Sequence, residues 1–127
     1  MSRLALGLAV SALAVTAAGY GAQAQPEPSL RATCGELRDR LARLPAHDDE
    51  VVVTIQVTGE VTAARRDDAV AYLVICRPPD PQVACITYTI EERAVGERVV
   101  VVGAYAPGSP DRIVLDPCLH FAAQNTP

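Results

Sequence analysis

Cysteine is the residue type with the most chemistry to offer in this chain, at positions Cys34, Cys76, Cys85 and Cys118. An even number in an exported protein reads as two disulfides, with three possible connectivities. A tetrahedral metal site would need closely spaced thiolates, and no Cys-x-x-Cys pair occurs. Cys76 and Cys85 flank Arg77-Pro-Pro-Asp-Pro-Gln82, a Pro-rich turn between two strand-like runs. The preferred pairing is therefore Cys76–Cys85 across a hairpin, with Cys34–Cys118 tying an N-terminal helix to the C-terminus. His47-Asp-Asp-Glu50 is a second cluster that could meet a divalent cation. Calcium loops, however, place their oxygens at alternate positions around a glycine turn, and this run does neither, so it reads as a solvated loop. No metal and no cofactor is expected.

Nor do the side chains used in catalysis converge. His47 and His120 stand at opposite ends of the domain, and Ser29 and Ser109 are the only serines beyond the N-terminal segment. No Gly-x-Ser-x-Gly element exists, and Glu91 and Glu92, being adjacent, point to opposite faces of an extended chain. The expectation is a protein that is not an enzyme, with no catalytic residue.

The first 24 residues address the chain rather than fold it. Arg3 supplies a positive start, Leu4 to Ala18 an apolar run, and Ala22-Gln-Ala24 a small-x-small cleavage site. Residues 1–24 read as a signal peptide, with the exported chain beginning near Gln25. The apolar run is short for a membrane span and no stop-transfer segment follows, so the mature form is expected off the membrane, in a periplasm or outside the cell. Without Arg3, ten basic residues stand against fifteen acidic ones, a balance of −5. Such a chain lacks the clustered positive charge that draws proteins to nucleic acid or to an anionic membrane, and neither is expected as a partner.

Past the signal, residues 25–32, with Pro26 and Pro28, read as a flexible leader, and 33–121 as one domain with a tail at 122–127. Thr33-Cys-Gly-Glu36 fits a capping box, and Leu37, Leu41 and Leu44 recur at helical spacing, which predicts a short amphipathic helix over 34–44 ended by Pro45. Val51 to Val61 alternates: Val51, Val53, Ile55, Val57 and Val61 share one face, with Gly59 on the same face as a bend or bulge. Thr62 to Asp68 reads as a solvated turn. Ala69–Cys76 and Val83–Glu91 form a hairpin. If Cys76 faces Cys85, Val74 opposes Thr87 and Tyr72 opposes Thr89, leaving Ala71, Leu73, Ile75, Ala84, Ile86, Tyr88 and Ile90 toward the core. Gly96 to Tyr105, with four consecutive valines, reads as a strand covered on both faces. It turns through Pro107–Pro110 into a short last strand, Arg112–Asp116.

An alternating first strand ending Gly59-Glu-Val61, a hairpin, and then Gly96-Glu-Arg-Val-Val-Val-Val-Gly103 before a short last strand resembles the OB-fold, here in a small bacterial exported form. The resemblance covers roughly Val51 to Pro117 and implies a mainly β chain, a five-stranded OB-like antiparallel barrel preceded by the short helix. The link from Glu92 to Gly96 is too short for the helix many members carry there, so the N-terminal helix is the expected barrel cap. The resemblance also implies a binding face on the second and third strands, which here would carry Tyr72, Val74, Thr87 and Thr89. The expected function is a non-enzymatic binding module for a glycan, a peptide or an envelope protein. The same four residues would otherwise be a sheet surface covered by the helix. A second expectation is a structural or inhibitory partner of an envelope or secreted protein, acting through the Pro-rich 77–82 loop.

Overall fold

The computed structural model describes residues 7, 9–14, 27–44, 51–89, 91–106 and 108–124. Its elements run β1 (Leu30–Thr33), α1 (Cys34–Ala42), β2 (Thr54–Arg66), β3 (Ala71–Ile75), β4 (Gln82–Thr87), β5 (Arg98–Ala106) and β6 (Arg112–Ala122). The expected signal segment lies largely outside the described residues, as do His47–Glu50, Ile90 and the end of the tail.

β2 organises the rest because it is long enough to serve two neighbours. Its first half, Thr54–Glu60, pairs antiparallel with β5, and its second half, Val61–Arg66, pairs with β3. A bulge between Val61 and Ala63 divides the two stretches, close to Gly59, and bends the strand as closure requires. β3 then pairs antiparallel with β4, β4 parallel with β6, and β6 antiparallel with β5. The circuit β2–β3–β4–β6–β5–β2 is a closed five-stranded barrel of OB-like order, mixed rather than wholly antiparallel. Closure leaves no free edge in the five-stranded wall.

From Val53 onward the alternation read in the first strand is the one the barrel uses, while Val51, expected on the same face, is exposed. Val53, Ile55, Val57, Gly59 and Val61 are buried, and Val99, Val101, Ile113 and Leu115 meet them from the other walls. The valine run departs from expectation: Val99 and Val101 face inward while Val100 and Val102 are half-buried outside, so one face is covered rather than two. Four further corrections concern extent. Leu30–Ala32, expected in a flexible leader, form β1, parallel to β2, with Leu30 and Ala32 buried. Residues 62–66, expected in a turn, continue β2, and the turn shrinks to Asp67–Val70. β6 runs past Pro117 to Ala122, so the short closing strand is a long one, whose register against β5 shifts between Leu115 and Cys118. Finally, α1 ends at Ala42 rather than at residue 44, with Arg43 as its C-cap.

The disulfides also differ from the preferred pairing: the bonds are Cys34–Cys76 and Cys85–Cys118. The first ties the start of α1 to the end of β3, the second ties β4 to β6, and no described cysteine is free. Each closes a long loop, with separations of 42 and 33 residues, worth about 4 kcal/mol apiece on the chain-entropy view. The physical reason for the error is Cys76 itself. With φ at 73° it leaves the strand direction in the left-handed region, which turns its sulfur toward Cys34 instead of across the hairpin.

The true register follows Leu73↔Cys85 and Ala71↔Thr87, three residues from the expected one. An odd slip inverts a strand. β3 keeps the expected inward face, Leu73 and Ile75, but β4 turns in Val83, Cys85 and Thr87 and turns out Ala84, Ile86 and Tyr88. Tyr88, expected in the core, is exposed.

The helix sits at one end of this barrel. Glu36 accepts from the Thr33 backbone N–H at 3.2 Å and from its hydroxyl at 2.8 Å, the capping box the sequence suggested. Leu37 is fully buried in the core, while Arg38 donates to the Pro79 carbonyl at 2.9 Å and pairs with Asp111 at 3.0 Å. Those two contacts lie in the β3–β4 and β5–β6 loops, so α1 closes the end of the barrel where these loops meet. The opposite end is left to other residues. Among the described residues, no helix is long and apolar enough to cross a membrane.

Candidate functional site

The end of the barrel remote from α1 holds a cleft of about 240 Å³. Its walls follow from the register. Beyond the bulge, Ala64 and Arg66 lie opposite Leu73 and Ala71, and Ala71 lies opposite Thr87, so these residues ring the barrel mouth. β6, parallel to β4, brings His120 to the same end. The link between β4 and β5 crosses the mouth. It is pinned to β2 by two backbone bonds, Gly96 N–H to the Val61 carbonyl and Val61 N–H to the Glu97 carbonyl. Gly96 makes the turn possible, at a φ of 91° that suits a residue without Cβ.

That link carries Arg93 into the barrel. Its side chain is only 8% exposed and pairs with Glu91 and Glu97, each at 3.1 Å. Its Nε donates to His120 Nδ1 at 2.9 Å, and His120, 5% exposed, meets Thr89 Oγ1 through Nε2 at 3.1 Å. Thr89 Oγ1 lies 3.0 Å from Thr87 Oγ1, which also accepts from the Thr89 backbone N–H at 3.2 Å. Guanidinium nitrogen only donates, so His120 Nδ1 must accept and the imidazole is the neutral Nε2–H form. His120 then donates to Thr89, and across the 3.0 Å contact between Thr89 and Thr87 either hydroxyl can donate. Burial and the Arg93 charge hold the His120 pKa below its ordinary value, with Glu91 and Glu97 opposing. The Glu97 carboxyl is held below the usual carboxylate range by the Ala94 N–H it accepts and by Arg93.

Of the residues the sequence put on a binding face, the structure gathers three at this cleft and separates one. Tyr72 is exposed at the rim, Thr87 is 1% exposed, and Thr89 is an exposed part of the lining in contact with Thr87. Val74 stands on the outer surface opposite Ala84 and does not line the cleft. The four therefore do not form one sheet face, and α1, at the other end of the barrel, does not cover them. Arg93 and His120 escaped the sequence reading. Arg93 lay in what read as a linker, and His120 lay past the expected end of the last strand. The available signal was the alternation Ile113, Leu115, then Cys118 and His120, which continues the inward face once the break in alternation at Asp116-Pro117 is allowed.

The one imidazole in the cleft has its Nδ1 committed to Arg93. Among the described residues, no group of three or more His, Cys, Asp or Glu side chains could hold a metal ion. Elsewhere on the barrel, Val100 and Val102 on β5 face Phe121 and Leu119 on β6, with Phe121 52% and Leu119 40% exposed. In the Pro-rich loop Arg77, Pro78 and Pro79 are exposed and Pro81 is buried, the Pro79 carbonyl accepts from Arg38, and Arg77 pairs with Glu60 at 3.1 Å.

No protein-family model matches the chain, and no curated protein does. Among solved structures, it is similar to a chain of the Stn1–Ten1 complex of S. pombe at 11% identity, with a TM-score of 0.40 over 55% of this chain and 59% of that one. It is also similar to a protein described as an aspartyl-tRNA synthetase of Leishmania major Friedlin, at 11% identity and a TM-score of 0.46, over 81% of this chain. The chain spans about three-fifths of the first and 22% of the second.

Proposed function

We propose that this chain is an exported, non-enzymatic binding module whose site is the cleft at the barrel mouth. The observation that carries the reading is the Arg93–His120–Thr89–Thr87 chain. It lines a concave site with four polar side chains joined in one hydrogen-bonded series. Export is supported by the composition of residues 1–24 and by two disulfides, which persist in oxidising compartments.

The test is a small-fragment library screened by amide and methyl NMR on the oxidised protein. Fragments clustering their shifts on Tyr72, Thr87, Thr89 and Arg93 support the reading. A screen whose reproducible hits avoid these residues sinks it. The patch of exposed Leu119 and Phe121 beside half-buried Val100 and Val102 favours a second reading, a surface for a protein partner, because contiguous exposed apolar groups mark such surfaces. That role suits this patch better than the tethered 77–82 loop.

A further inference from the structure

Resting on the cleft as the binding site, we infer that acid opens it: when the His120 ring takes up a second proton, the Arg93 side chain is expelled from the barrel mouth. Arg93 is then a gate, and the site has a closed form at neutral pH and an open form below it. The geometry begins with one atom. His120 Nδ1 accepts from Arg93 Nε at 2.9 Å, and a guanidinium can only donate. The second proton of an imidazole has one place to go, and here it is that same Nδ1, because Nε2 already carries the first. Protonation therefore does not merely weaken the bond. It sets two donors against each other, each part of a cation, across a contact of 2.9 Å.

The other groups around the ring set the sign of the response. Glu91 and Glu97 attract a charged ring, but each already lies 3.1 Å from the Arg93 guanidinium. β2 adds Arg65 and Arg66 to the cleft lining, β3 adds Tyr72, and the end of β4 brings the hydroxyls of Thr87 and Thr89. The link adds Glu92, 3.7 Å from Arg66, and β5 sets the apolar Val101 opposite the ring. The lining thus carries three arginines against two glutamates, and a charged ring enters it as one more cation. Burial, and after it the Arg93 charge, keep the ring neutral to below the ordinary histidine range. The closed form is therefore the neutral-pH form, and opening comes as pH falls through the lowered value.

Of the two side chains, Arg93 is the one that can leave. His120 is built into β6, paired with Val101 of β5, and is 5% exposed. Arg93 stands on the link, outside the strands, and the carboxylate of its partner Glu91 is 65% exposed. A guanidinium swinging outward keeps that carboxylate beside it and gains water. Its exit leaves the link pinned, because the backbone bonds of Gly96 and Glu97 to Val61 do not involve Arg93. The space it vacates adjoins Ala64, Ala71 and Leu73, so the cleft gains depth toward His120 and Thr87. Water entering there hydrates the charged ring, which a closed mouth would leave buried and repelled.

The experiment is an NMR titration of the oxidised protein from about pH 7.5 to about pH 4.5, a range that brackets histidine. Three signals are followed: the His120 ring protons, the Arg93 Nε–H, and the relaxation that a neutral gadolinium chelate in solution imposes on the Ala64, Ala71 and Leu73 methyl groups. The expected result is one midpoint for all three. Arg93 Nε–H moves to the position of exposed arginines and the cleft methyl relaxation rises severalfold, while the Ile55 and Val57 methyls of the core stay as they were. His120→Gln keeps a neutral acceptor that cannot charge, and should leave the methyl relaxation flat across the range. A ring that titrates while Arg93 Nε–H and the cleft methyls stay unchanged overturns the gate, and that observation needs no variant to fold. A ring that stays neutral to the acid end of the range overturns it too. So does opening that persists in His120→Gln, or loss of the core methyl signals in the same step, which is unfolding of the whole barrel. Fragments that avoid the cleft at both ends of the range sink the binding site and leave the release of Arg93 standing.

Discussion

Gly59→Ala puts the disulfide framework to its most direct test. A Cβ on Gly59 would lie 2.5 Å from Cys34 Sγ, 3.4 Å from Cys76 Sγ and 3.4 Å from the Ile75 side chain. Real Cβ atoms do not approach other heavy atoms within 3.0 Å, so something must shift. A flexible side chain could swing away. The Cys34 sulfur cannot, because it is bonded to Cys76 and both backbones are held, one by the β1–β2 pairing and the other by the bond from Cys76 N–H to the Glu60 carbonyl. Overpacking of this kind costs about 2–3 kcal/mol. With both sulfurs removed, in Cys34→Ala/Cys76→Ala, the same methyl group enters vacated space. It should then be neutral or stabilise by about 0.5–1 kcal/mol, the usual gain of alanine over glycine inside a strand.

The signature is the coupling. Removing the bridge costs about 4 kcal/mol on the chain-entropy view, a large part of the roughly 5–15 kcal/mol available to a domain. Gly59→Ala costs more only while the bridge is present, which makes a coupling of about 3 kcal/mol. Urea denaturation of the four proteins without reductant measures it. Independent sites add to within about 0.5 kcal/mol. A Gly59→Ala cost that is the same in both backgrounds to that precision would refute the placement of Cys34–Cys76 over β2 and return the connectivity to the alternatives.

Other expectations follow from the same geometry. Gly103→Ala would set a Cβ 2.7 Å from the Pro117 carbonyl and 2.8 Å from Leu115 Cβ, where backbone must move, so it should cost about 3 kcal/mol and lower the urea midpoint accordingly. Leu37→Ala empties a fully buried site and should cost about 2–5 kcal/mol, with amide exchange accelerating in α1 before the barrel strands. His120 has a folded pKa below 6.5, so the fold prefers the neutral ring. Its contribution is complete above pH 6.5 and is lost as pH falls from there through the folded pKa. Thermal melts should show stability declining in that window, and His120→Gln should flatten the decline; an unchanged slope would refute the buried neutral assignment. Arg93→Gln removes the positive neighbour and should raise the His120 pKa, read by ring-proton NMR against His47, the one other histidine.

What was legible in the sequence is what a period of two can express. The inward residues of β2 were readable one by one because a single buried face imposes strict alternation. The order of strands was readable because turns stand between them. The pairing of β3 with β4 was not, because alternation fixes which residues share a face but not which face of one strand meets which of the next. A covalent assumption filled that gap. Once Cys76 was set opposite Cys85, β4 was inverted, and Thr87 passed for a surface residue while Tyr88 passed for core. The left-handed backbone at Cys76, which decides the matter, has no signature in a residue type that rarely adopts it. β1 was invisible for another reason. Its four residues, Leu-Arg-Ala-Thr, are too few to display a period, and what makes them a strand is β2 lying alongside.

The same logic explains why the site lies where sequence reasoning left a gap. Among its described residues the link between β4 and β5 forms no helix that could close the barrel mouth with an apolar surface, and α1 is committed to the other end. Closure falls to one long side chain. Arg93 can reach in only because Glu91 and Glu97 go with it and because His120, a neutral acceptor, waits at the inner end. A guanidinium plug is narrower than a helix. What remains beside it is the cleft between Ala64, Leu73 and Thr87, open to solvent under Tyr72. The helix-free link and the cleft are thus one feature: a helix across this mouth would lay its apolar side in the volume that is now open.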